Sequence, residues 1–126
     1  MADIIRHNKP EDTYDDPEHP IPALRHLDVC TIKKGGGADL HIIIATPLQP
    51  DDYSLNRLLD KIEGYLGHIQ SQTFKDEAGE PTPENTNIVV QIHRESCREA
   101  FALLEKSVDW VKDNKASLKV RELKDE

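Results

Sequence analysis

Leu55, Leu58, Leu59, Ile62, Tyr65, Leu66 and Ile69 recur at three- and four-residue spacing, which places them along one stripe of a long α-helix within "LNRLLDKIEGYLGHIQSQTF". A helix with a single apolar stripe must bury it against something else, so the chain needs a second apolar surface of comparable length. Gly64 and Gly67 interrupt that helix. Each costs roughly 1 kcal/mol against alanine in a helix interior, which points to a close approach or a bend.

The second surface is read from strands. "LDVCTIKK" and "ADLHIIIA" are β-prone runs joined by Gly35, Gly36 and Gly37, the pattern of a hairpin with a short glycine loop. Placing Lys34 opposite Ala38 sets Ile32 against Leu40 and Cys30 against Ile42, so one face becomes apolar. The lysines and glycines of this loop resemble a phosphate cradle, but such a cradle needs a helix after its glycines, and here a strand follows.

After the long helix, "KDEAGEPTPENTN" reads as an exposed loop and "IVVQIHR" as a strand with Ile88, Val90 and Ile92 on one face. "SCRE", Ser96 to Glu99, has the form of a capping box that starts a second helix. That helix carries Cys97, Ala100, Phe101, Leu104, Val108 and Val111 as its stripe and ends near Lys115. "SLKVREL" is a last strand with Leu118 and Val120 facing in.

The fold expected is therefore α+β: a two-layer sandwich of about four strands, in the order strand, strand, helix, strand, helix, strand, with two helices on one face. Residues 27–126 form a single α/β domain, in keeping with a chain of 126 residues. Residues 1–26 hold Pro10, Pro17, Pro20 and Pro22 among six carboxylates, a composition that favours an extended or disordered segment. "PIPALRHL" offers a second possibility, in which Ile21, Leu24 and Leu27 lie along the domain and cover apolar surface.

The element order and the helix pattern Leu59, Lys61, Ile62, Tyr65, Leu66, Ile69, Ser71 resemble an uncharacterised family of small bacterial α/β domains. The resemblance spans Leu27 to about Glu122. It implies a fold and no activity.

Charge and motif content narrow the function classes. The formal net charge of −8 opposes a phosphate backbone or an anionic membrane as partner and favours a basic one. Lys33, Lys34, Lys119 and Arg121 make only a local basic patch at one end of the sheet. No stretch reaches the ~20 apolar residues of a membrane span, and the amino end does not read as a leader. A cytoplasmic protein is expected. Cys30 and Cys97 lack metal-knuckle spacing and read as small core residues.

On the sheet face turned away from the helices, alternation places Thr31, His41, Ile43, Val89, Gln91 and His93. That mixed surface is the candidate binding site. It points to a small interaction module without enzymatic activity, either a homodimer or an acidic, inhibitor-type binder of a basic protein. The alternative is a metal- or ligand-binding enzyme using His41 and His93. Two histidines fall short of the three or four ligands zinc takes, so no metal, cofactor or catalytic residue is assigned.

Overall fold

The computed structural model describes residues 16–24 and 27–123. Its elements are β1 (Val29–Ile32), β2 (Ala38–Ile44), α1 (Asp52–Ile69), α2 (Gln72–Ala78), β3 (Thr86–His93), α3 (Arg98–Lys106), α4 (Val108–Asp113) and β4 (Ser117–Leu123). The four strands lie in sequence order in one open sheet. β1 pairs antiparallel with β2, whereas β2, β3 and β4 run parallel. The class is α+β with a mixed sheet, and helices make both connections between the parallel strands.

The predicted alternation holds through the middle of the sheet. Leu40, Ile42 and Ile44 on β2 and Ile88, Val90 and Ile92 on β3 are fully buried. They share one core with Leu58, Ile62, Leu66 and Ile69 of α1 and with Leu104 and Val111 of the later helices. Each such aliphatic side chain contributes roughly 1.5–3 kcal/mol on leaving water. At the sheet edges the expectation fails. Ile32 on β1 and Val120 on β4 share this face by register but are 40% and 44% exposed, because an outer strand has a neighbour on one side only.

The hairpin register is shifted by two residues from the expected one: Ile32 pairs with Ala38 and Cys30 with Leu40. A slip of two preserves the faces, since side chains alternate with period two. The tight turn depends on Gly37, at φ +87, where a Cβ would come within 2.0 Å of the Asn85 carbonyl oxygen. Its amide donates to Ala78 O at 2.6 Å, and the Ala38 amide donates to Asn85 O at 3.1 Å. The glycines thus let the hairpin loop lie directly on the connection leading into β3.

Helix ends account for two further corrections. α1 starts where the Asp51 carboxylate accepts the Ser54 amide and stops at Ile69. Ser71 then accepts the Phe74 amide and opens α2, so Lys75–Ala78 is helical rather than loop. The capping box at Ser96 does not form. Cys97 is the N-cap of α3 and makes no side-chain cap bond, while Ser96 Oγ accepts the Leu48 amide at 3.0 Å and the Cys97 amide donates to Leu48 O. Tying down the β2–α1 connection takes the place of the local cap.

Of the amino-terminal segment, residues 1–15, 25 and 26 lie outside the described residues. Residues 16–24 lie along α1. Ile21 is 1% and Leu24 6% exposed, whereas Leu27 is exposed. Gly64 has its counterpart here: a Cβ at that position would stand 3.6 Å from the Leu24 carbonyl oxygen.

Candidate functional site

The sheet residues singled out by alternation occupy one face but do not converge. His41 is paired with Val89 on β3, four residues before His93, a separation of roughly 13 Å along a parallel strand. The two imidazoles are therefore not neighbours. Gln91 Nε2 donates to His41 Nδ1 at 2.8 Å, and the His93 Nδ1 accepts the Glu95 amide at 3.0 Å in the turn after β3. Val89 and His93 are buried, His41, Ile43 and Gln91 half-buried, and Thr31 exposed. Val89 is buried yet stands apart from the core cluster formed on the opposite face.

Further along the same face, Asp39 accepts from Asn87 Nδ2 at 2.8 Å and lies 3.4 Å from Lys33 Nζ. The Asn87 hydrogen bond, followed by Lys33, holds this carboxyl below the usual aspartate range. Among the described residues no group of three or more His, Cys, Asp or Glu side chains is placed to hold a metal ion. No helix among them is long and apolar enough to cross a membrane. Both cysteines are half-buried against the core, and burial pushes the Cys30 thiol up, away from thiolate reactivity.

A second surface went unread in the sequence. Between α1 and α3 lies a groove of about 560 Å³ lined by Leu55, Leu59, Ala102 and Leu103, with Asp52, Glu99 and Lys106 among its charged margins. Leu55, Leu59 and Leu103 are only half-buried. The clue was present: Leu55 and Leu59 make the α1 stripe wider than the strip that contacts the sheet, and Leu103 stands beside the core residue Leu104. A stripe that wide leaves apolar side chains on its flank.

The charge of α1 is strongly sided. Asp52 and Glu63 are exposed and Asp60 half-buried, whereas its two strong cations, Arg57 and Lys61, are 2% and 1% exposed. Both cations are turned to the amino-terminal segment. Arg57 donates through Nε and Nη2 to Ile21 O at 2.9 and 2.6 Å, and Lys61 Nζ donates to Ala23 O and to Asp28 Oδ1. Burying these cations leaves the solvent side of α1 with carboxylates.

The chain matches no protein-family model, no curated protein and no solved structure.

Proposed function

We propose that the protein is a small acidic interaction module that docks a basic, amphipathic helical segment of a protein partner in the groove between α1 and α3. The observation that carries this reading is the groove's apolar floor of Leu55, Leu59 and Leu103 beside a helix whose solvent-facing ions are carboxylates. A helix laid in an apolar groove is anchored by side chains at i, i+3, i+4 and i+7, and lysines flanking those anchors would meet Asp52 and Glu99. The net charge of −8 adds long-range attraction for a cationic partner. In this reading both helical crossovers pack on the same side of the sheet, as the handedness of consecutive parallel connections requires, so that α1 and α3 lie side by side.

The test is a titration of the full chain with two labelled helical peptides that share a leucine stripe, one flanked by lysines and the other by glutamates. The expected result is binding of the cationic peptide alone, weakening as salt rises. Leu59→Lys, which places a cation on the floor, is expected to weaken it at least about tenfold, equivalent to roughly 1.4 kcal/mol. Equal binding of both peptides, or unchanged affinity in Leu59→Lys, would overturn the proposal.

A further inference from the structure

The amino-terminal segment is held to α1 through a histidine whose tautomer is set by its contacts. His19 Nδ1 accepts the Ile21 amide at 2.9 Å, and Nε2 lies 2.8 Å from Ser54 Oγ. A nitrogen that accepts an N–H carries no proton, so the ring is neutral with its hydrogen on Nε2, donated to the Ser54 hydroxyl. The held residue is central to the strap: Ile21 is 1% exposed, and its carbonyl takes both Arg57 donors.

We propose that residues 16–24 form an acid-released strap, in which protonation of His19 at Nδ1 removes the acceptor for the Ile21 amide and frees the segment from α1. A cationic imidazolium has a hydrogen on each nitrogen, so the Ile21 N–H would face another N–H in a half-buried contact. The groups around the ring come from both sides. Tyr53 meets it edge-on at 5.4 Å between centroids, and Arg57 stands close by on α1, opposed by the carboxylates of Asp16 on the strap and Asp51 at the helix cap. Burial first, and the Arg57 guanidinium second, outweigh those carboxylates and hold the imidazole below its ordinary range. The strap is therefore closed at neutral pH and opens on acidification.

Release would change the surface of α1. Arg57, now buried beneath the Ile21 carbonyl, would reach solvent near the place the Asp16 carboxylate occupies in the closed state, and Lys61 would lose its bond to Ala23 O while keeping Asp28. The apolar seats of Ile21 and Leu24 would open with them.

Amide hydrogen exchange on the full chain, corrected for the intrinsic rate, tests the latch. Between about pH 7.5 and about pH 5, where a histidine titrates, exchange at Ile21 is expected to rise at least about tenfold. His19→Asn keeps a short acceptor near Nδ1 but does not titrate, and its Ile21 exchange is expected to stay flat. Should that variant fail to fold, NMR titration of the wild type decides: the Ile21 amide resonance must move with the midpoint of the His19 ring. A midpoint in the carboxylate range, no movement at all, or equal acid loosening in His19→Asn would overturn the proposal.

Discussion

Lys61 Nζ lies 3.0 Å from Asp28 Oδ1, joining a 1%-exposed ammonium on α1 to the residue that precedes β1. The other carboxylate oxygen of Asp28 accepts the Ile43 amide of β2 at 2.9 Å, where a longer β1 would have supplied a carbonyl. The Asp28 amide donates to Tyr65 Oη at 2.8 Å, and that hydroxyl donates to His41 O at 2.6 Å. Burial drives the Tyr65 phenol far above its ordinary range, so it stays a neutral donor. One aspartate thereby ends the hairpin, orients α1 and lies beside the strap.

Removing the carboxylate should cost more than removing the ammonium. Asp28→Ala leaves a buried cation without its counter-ion and a strand amide without its acceptor, and breaking such a pair from one side costs about 3–5 kcal/mol in a fully buried setting. Because the Asp28 side chain is 25% exposed, solvent screening lowers the expectation to about 2–3 kcal/mol. Lys61→Met keeps the apolar stem and removes the charge that must be desolvated, so its expected cost is below about 1.5 kcal/mol. Urea unfolding of both variants checks the order, which must not invert.

The glycines separate sharply by position. Gly37→Ala must place a Cβ against the Asn85 backbone at φ +87, so the hairpin loop and the α2–β3 connection have to part. A loss of more than about 2 kcal/mol is expected from strain and displaced contacts. Gly67→Ala meets nothing within 4 Å in the last turn of α1, and a gain of up to about 0.5–1 kcal/mol is expected from helix propensity. Thermal unfolding should move the two variants in opposite directions.

The faces of the sheet were legible because alternation survives a two-residue slip, and α1 because its stripe is long, whereas the second helix expected from Cys97 to near Lys115 is two, α3 and α4. Four features were not legible. Ile32 and Val120 alternate correctly, but alternation says nothing about which strand lies at an edge. Ser96 and Glu99 make a valid local cap motif, yet Leu48, 48 residues earlier in the chain, claims the serine. Arg57 and Lys61 carry no sign of burial in the sequence, because charged side chains on a helix usually face solvent. Their partners, Ile21 O and Ala23 O, are backbone groups with no sequence signature. The His41–His93 pairing depended on strand register, which parallel neighbours joined by helices do not reveal.

Acid should destabilise the protein in two separate steps. His19 has a folded-state pKa below the ordinary value of 6.5. The folded chain therefore binds that proton less readily than the unfolded one, and stability begins to fall as pH drops through 6.5. Asp39 and Asp51 also lie below their ordinary value of 3.8, the first through Asn87 and Lys33, the second through its cap bonds to Ser54. Their contribution is present above 3.8 and disappears as pH falls further. Urea midpoints measured across the acid range should thus show a shallow decline in the histidine region and a steeper one in the carboxylate region. His19→Asn is expected to abolish the first decline and leave the second. Asp51→Asn, which keeps an oxygen at the helix cap, should soften the second and leave the first. A single decline confined to the carboxylate region in the wild type would refute the assignment of His19.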